Sequence, residues 1–256
     1  MTKRYTRRLG KAHMITKTVP YEVDGQVHTG FLVHEKHISC APGILVCHQS
    51  PGITEHTRER AKMLAELGYV AFALDMYGQD SLSIDDPNER ALALMQNPAE
   101  IRKRAAAGLG VLKDQVNVDL KRLAAIGHCF GGALALEMAR LHSELRCVVA
   151  FHPGLSSLRE RDDRPVFAKI LVCAGVNDPL ISQGDREHFV KLMNEAKCDW
   201  QMVLYGGTAH SFTDQNIDRL GLPGYEYHER SDQRSWAAMQ QLLAETFEQH
   251  QMWIRK

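Results

Sequence analysis

Six short apolar runs constrain this chain more than any other feature. They are Gly43 to Cys47, Tyr69 to Leu74, Leu123 to Ile126, Cys147 to Phe151, Ile170 to Ala174 and Trp200 to Tyr205. Runs of this length with little polar interruption suit strands covered on both faces, as in a parallel sheet. Between them lie segments with helical spacing. Ile101, Ala105, Leu109 and Leu112 form one stripe, Phe189, Leu192, Met193 and Ala196 a second, and Trp236, Met239, Leu243 and Phe247 a third. Gly68 follows a helical segment and immediately precedes a strand, as a C-terminal cap should. This alternation predicts an α/β fold with a mostly parallel central sheet and helices on both faces. Ahead of it, Thr16 to Val23 and Gln26 to His34 read as two strands joined at Asp24-Gly25, an antiparallel hairpin on the sheet edge.

Length and charge narrow the rest. At 256 residues the chain is expected to form a single domain over 1–256, with 44% hydrophobic residues to fill a core. Thirty-one Lys and Arg balance 31 Asp and Glu, so no basic field is available for nucleic acid or an anionic membrane. Met1 to Gly10 is basic but lacks the apolar stretch of a signal peptide, and no run reaches the ~18 apolar residues of a membrane span. Six cysteines stand singly, several inside apolar runs, as in a reduced cytoplasmic protein. No CxxC pair supports a structural zinc site, and no metal is expected. Ser156 to Arg164 and Asp214 to Ser231 read as surface loops, the second long enough to shape a pocket with Tyr225 and Tyr227.

One segment carries chemistry. Gly127-His128-Cys129-Phe130-Gly131 lies between the strand Leu123 to Ile126 and the apolar helix Ala133 to Ala139. This is the strand, sharp turn and helix context of a nucleophile elbow, with cysteine as the nucleophile. Side chains two residues before and after Cys129 would collide with neighbouring backbone, and glycine at both places relieves that crowding. The helix N-terminus favours a thiolate at Cys129. The competing reading is a buried structural cysteine beside a tight helix start.

A thiol nucleophile needs a base, and the base an orienting group. In folds with this elbow the order is nucleophile, acid, histidine, each in a loop after a strand. Asp178 follows the strand Ile170 to Ala174, and His210 follows Trp200 to Tyr205. Alone, Asp178 is an ordinary turn residue before Pro179, and His210 is one of thirteen histidines. In sequence with Cys129 they make a triad; Asp75, in an earlier loop, is the poorer candidate for the acid. Two backbone N–H groups should form the oxyanion hole, one at Phe130 and the other in His48-Gln49-Ser50-Pro51-Gly52. Pro51 has no N–H, which leaves Ser50 first and Gln49 behind it.

The segments Leu74-Asp75-Met76-Tyr77-Gly78, Ile126 to Gly132, Asn177-Asp178-Pro179, Ala209-His210-Ser211-Phe212 and Ser235 to Met239 together resemble the dienelactone hydrolase family. The resemblance covers most of the chain from about Pro42 onward. It implies the α/β-hydrolase fold, a Cys-Asp-His triad, no cofactor, and hydrolysis of a small-molecule ester or lactone. Three positions depart from the founding members. They carry a glutamate, which helps activate the cysteine, where Gln49 stands, and an amide cannot take a proton. They also carry two arginines that bind the substrate carboxylate, and the matching positions here are Gln79 and Asp214. Gln49, Tyr77, Gln79 and Asp214 are thus the candidate pocket residues, for a substrate less anionic than a dienelactone. Competing functions on the same fold are a thioesterase or peptidase, a non-catalytic binding protein, and a redox-sensing thiol, which would require neither Asp178 nor His210.

Overall fold

The computed structural model describes residues 13–79, 84–141, 144–157 and 165–254. Most of the expected loop Ser156 to Arg164, and the basic segment Met1 to Gly10, lie outside these residues.

Among the described residues, eight strands form one sheet: β1 (Met14–Val23), β2 (Gln26–Glu35), β3 (Ala41–Cys47), β4 (Val70–Leu74), β5 (Val118–His128), β6 (Leu145–Phe151), β7 (Lys169–Gly175) and β8 (Trp200–Tyr205). Their order is β1-β2-β4-β3-β5-β6-β7-β8. β1 pairs antiparallel with β2, and β2 antiparallel with β4; every later pairing is parallel. The Asp24-Gly25 turn has positive φ at both residues (50° and 79°), the twist that suits a tight hairpin.

Among the described residues, six helices cover the sheet: α1 (Glu55–Glu66), α2 (Pro87–Met95), α3 (Pro98–Lys113), α4 (Phe130–Leu141), α5 (Gln183–Glu195) and α6 (Glu229–Ile254). Strand side chains alternate between two cores. Leu45 and Cys47 of β3 join residues of α2 to α5 on one face, whereas Ile44 and Val46 join residues of α1 and α6 on the other. Asp86 and Asn97 cap α2 and α3, and each is followed by proline at the first helical position. Gly68, at φ 90°, ends α1 and donates its N–H to Ala65 O.

Several elements depart from the sequence reading. β5 begins at Val118 rather than Leu123, because Ala41 and Pro42 pair with Val118 and Asp119 before a register shift. α2 adds a helix that no expected stripe marked; it is short and buries only Ala91 and Leu94. The loop from Asp214 holds a 3₁₀ turn at Ile217–Leu220 and ends where α6 begins, at Glu229.

β3 lies between β4 and β5, so the chain crosses from one side of β3 to the other at this point. The loops leaving β3 and β5 therefore meet at the carboxyl edge of the sheet. That is the switch-point position where open α/β sheets form their crevice.

Candidate active site

Cys129 occupies the single residue between β5 and α4, with φ 54°, a left-handed conformation rare for a residue with a Cβ. Its N–H donates to Phe151 O (3.0 Å), and its carbonyl accepts from Gly132 N (2.9 Å) and Ala133 N (3.2 Å). The flanking glycines are required sterically. A Cβ at Gly127 would strike the Gly131 carbonyl, and one at Gly131 would strike the carbonyls of Cys47 and His48. The elbow is therefore pressed against the end of β3, and the partly buried Cys129 faces a cavity of about 440 Å³.

Two further loops converge there. Asp178 follows β7 and His210 follows β8, and both are buried. Asn177 N–H donates to Thr208 O (3.0 Å) and Val176 N–H to Tyr205 O (2.9 Å), so the two loops are stitched together. Asp178 Oδ1 accepts the Leu180 N–H at 2.9 Å, which turns Oδ2 towards His210; His210 Nδ1 lies 2.7 Å away. The backbone of His210 is held on both sides, its N–H by Gly224 O (2.9 Å) and its carbonyl by Glu226 N (3.1 Å). Its ring lies between the rings of His152 (5.0 Å) and Tyr225 (4.9 Å), both in edge-on packing. Burial alone would lower the His210 pKa. The Asp178 hydrogen bond and then the nearby Cys129 outweigh it and raise the value to about 9. At Nε2 no hydrogen bond reaches ordinary geometry, although the sulfur of Cys129 lies near enough to act on the ring. Contacts of this kind commonly tighten only when substrate arrives.

The loop after β3 is supported from below. His48 donates from Nδ1 to Gln49 O (2.6 Å) and accepts the Met76 N–H at Nε2 (3.1 Å), which fixes its tautomer; burial keeps it neutral. The Tyr77 hydroxyl donates to Ser50 O (2.8 Å), and its ring stacks on Phe130 (6.0 Å, 13°). Ser50 Oγ donates to Asn88 Oδ1 (2.8 Å), tying the loop to α2. Of the four candidate pocket residues, Gln49 and Asp214 line the cavity. Tyr77 lies buried beneath the Ser50 loop and acts on it from behind. Gln79 is exposed, and its N–H donates to Val27 O (3.2 Å) on the hairpin.

Behind His210 sits a polar cluster that sequence reading did not find. His152, fully buried with φ 39°, has its Nε2 2.9 Å from Thr213 Oγ1. Arg60 on α1 donates to Thr213 O and to both carboxylate oxygens of Asp232 (2.8 and 2.9 Å) on α6, and its Nε–H reaches His56 (3.3 Å). Burial, and then the Arg60 charge, lowers the His56 pKa to about 3, and burial holds His152 neutral. The signal available in the sequence was position: His48 and His152 each directly follow an apolar run. Arg60→Met would leave Asp232 buried without its partner and strip the Thr213 carbonyl of its donor. A loss of about 3–5 kcal/mol is expected, read as a lower urea midpoint with an unchanged slope. An unchanged midpoint would show that the pair does not hold α1 to α6.

Among the described residues, no group of His, Cys, Asp or Glu side chains is arranged to hold a metal ion, and no helix is long and apolar enough to cross a membrane.

Comparison with known proteins fits this geometry. Residues 29–247 match the dienelactone hydrolase family. A solved structure named m3DLH is 36% identical, with a TM-score of 0.85 over 91% of this chain and 98% of its own. The dienelactone hydrolase-like promiscuous phosphotriesterase P91, from metagenomic libraries, is 33% identical, with a TM-score of 0.83 over the same shares. A probable 2-oxo-3-(5-oxofuran-2-ylidene)propanoate lactonase of Bradyrhizobium sp. is 25% identical over 80% of this chain and 89% of its own length. The matched span contains the elbow and the loops of Asp178 and His210, and on it the chain, an α/β-hydrolase in fold, belongs to the dienelactone hydrolase family.

Proposed function

We propose that this chain, acting as one domain, hydrolyses carboxylic esters or lactones, with Cys129 as nucleophile, His210 as base and Asp178 orienting the base. The observation that carries this reading is the buried 2.7 Å bond between His210 and Asp178, beside a cysteine held at positive φ over an open cavity. A merely structural cysteine needs neither the strain nor the partners.

The chemistry follows from the positions. The thiolate of Cys129 attacks the carbonyl carbon, and the carbonyl oxygen gains the negative charge. Phe130 is the first residue of α4, so no intrahelical acceptor claims its N–H. In the proposed hole the Ser50 N–H is its partner. The Gly52 N–H is committed to Gln49 O (3.0 Å), which removes it from the hole. His210 gives its proton to the departing alkoxide, leaving a thioester on Cys129. Water, deprotonated by the same imidazole, then attacks the thioester and frees the acid and the thiol. Removal of one oxyanion donor typically costs about 3–4 kcal/mol, so the tethering of Ser50 by Tyr77 and Asn88 supports the rate as well as the loop.

The test is to quench the protein with acid during turnover of a slow ester and locate the acyl group by peptide mass spectrometry. The acyl mass is expected on the peptide containing Cys129. An acyl group on another residue, or ester turnover untouched by alkylation of Cys129, would overturn the assignment.

The likeness to P91 favours a second activity at the same thiolate. Attack on the phosphorus of an aryl phosphate triester would expel aryloxide and leave an S-phosphoryl group for water to remove. Turnover of diethyl p-nitrophenyl phosphate, lost together with esterase activity on alkylation, is the expected result.

A further inference from the structure

The cavity wall indicates which esters it receives, an inference that rests on the proposed hydrolysis but is separable from it. Among the described residues, the Asp, Glu, Lys and Arg side chains that line the cavity are Glu55 and Asp214, both acids. The far wall belongs to the segment between Asp214 and Glu229. It contributes Ile217, Leu220 and Leu222, and the two leucines are 64% and 42% exposed. The segment is held in shape rather than loosely draped. Gly221 N–H donates to Asp218 O (3.2 Å), the Asp218 carboxylate accepts the Tyr227 N–H (2.9 Å), and Gly224 O accepts the His210 N–H (2.9 Å). Gly221 itself has φ 59° and turns the chain between the two leucines. Two apolar side chains are thereby displayed to solvent on a fixed loop that also anchors His210.

We propose that the substrate is an uncharged ester or lactone carrying an apolar group of several carbons, and that Leu220 and Leu222 are specificity-determining residues that this group covers. Apolar surface left in water at a cavity mouth gains most from an apolar ligand. A carboxylate on the same group would instead face Asp214 and Glu55 in a partly desolvated site where, among the described residues, no Lys or Arg lines the wall to offset the repulsion.

The experiment compares three p-nitrophenyl esters: the acetate, the hexanoate and the adipate monoester. The last has the six-carbon chain of the hexanoate with a carboxylate at its end. kcat/KM is expected to be about tenfold or more higher for the hexanoate than for the adipate monoester. The double variant Leu220→Ser/Leu222→Ser should lower the hexanoate-to-acetate ratio about tenfold while thermal stability is kept. Leu222→Arg should raise the adipate value and lower the hexanoate value. Equal turnover of hexanoate and adipate, or a hexanoate-to-acetate ratio indifferent to the double variant, would overturn the proposal. A binding arm separates this result from the catalytic reading. Calorimetry on Cys129→Ala with hexanamide and with adipamic acid needs no turnover. Preference for hexanamide there sustains the pocket assignment even if Cys129 proves not to be the nucleophile, and preference for the acid overturns it.

Discussion

Replacing Cys129 by alanine is expected to lower kcat/KM for any ester that the native protein cleaves by at least about 10³-fold, with little change in stability. The residual rate would come from oxyanion donors and positioning alone, as it does when nucleophiles are deleted from other triads. A second readout follows from the same change. Cys129 is one of the two groups that push the His210 pKa up against the effect of burial. With the sulfur gone, only Asp178 remains to oppose burial, so the His210 pKa should fall below its native value of about 9. An NMR titration of the imidazole carbons reports this directly. A variant with lost turnover and an unmoved His210 pKa would mean that thiol and imidazole do not interact. A variant with turnover intact would remove Cys129 from the mechanism altogether.

How much of this could be read in the sequence depended on how local each feature was. The elbow is legible because its constraints are contiguous. Gly127 and Gly131 are demanded by backbone two residues either side of Cys129, and by the end of β3. Asp178 and His210 are legible because strand order delivers them, each in the loop after an apolar run. The pocket was harder. Tyr77 and Gln79 enter as pocket candidates through the resemblance of the loop after β4 to the founding family, where an arginine matches Gln79. In the fold, Tyr77 turns under the Ser50 loop to donate to its carbonyl, and the Gln79 backbone is drawn to Val27 on the hairpin. Position in a loop does not fix side-chain direction, and here Asp75 decides it. Its carboxylate accepts the N–H groups of Tyr77 (2.8 Å) and Gly78 (3.1 Å) and so sets the turn. The cluster of Arg60, Asp232, Thr213 and His152 was out of reach for a different reason. It joins α1, α6, the His210 loop and the end of β6, and no spacing rule links residues that far apart.

These supports also bear on Gln49. In the founding family the corresponding glutamate can accept a proton from the thiol, and an amide cannot. In the proposed mechanism the load falls on His210, which is more strongly fixed than a lone loop histidine. Asp178 holds its Nδ1, the Gly224 and Glu226 backbones hold its main chain, and His152 and Tyr225 clamp its ring. His152 can fill that place because burial keeps it neutral, so it packs as an aromatic ring beside a histidine that gains a proton.

Asp178→Asn is the sharpest test of that arrangement, with an expected loss of about 10³- to 10⁴-fold in kcat. The substitution is nearly isosteric, so the loss is one of proton placement. Asp178 now accepts at both oxygens, from Leu180 N–H and from His210 Nδ1–H. An asparagine has one acceptor and one donor for these two places. With its oxygen towards Leu180, its NH₂ meets Nδ1, which must then accept; the ring proton moves to Nε2 and points at the thiol it should deprotonate. With its oxygen towards His210, its NH₂ opposes the Leu180 N–H, donor against donor. Either orientation also removes the negative charge that helps hold the His210 pKa at about 9. The proposed thiolate–imidazolium pair is active while His210 keeps its proton, so native acylation is expected to fall as pH rises through about 9. In Asp178→Asn that alkaline limb should move to lower pH, because loss of the carboxylate lowers the imidazole pKa. A variant that keeps the native limb but loses rate would assign Asp178 to loop structure alone. Native rate with a native limb would exclude it from the triad.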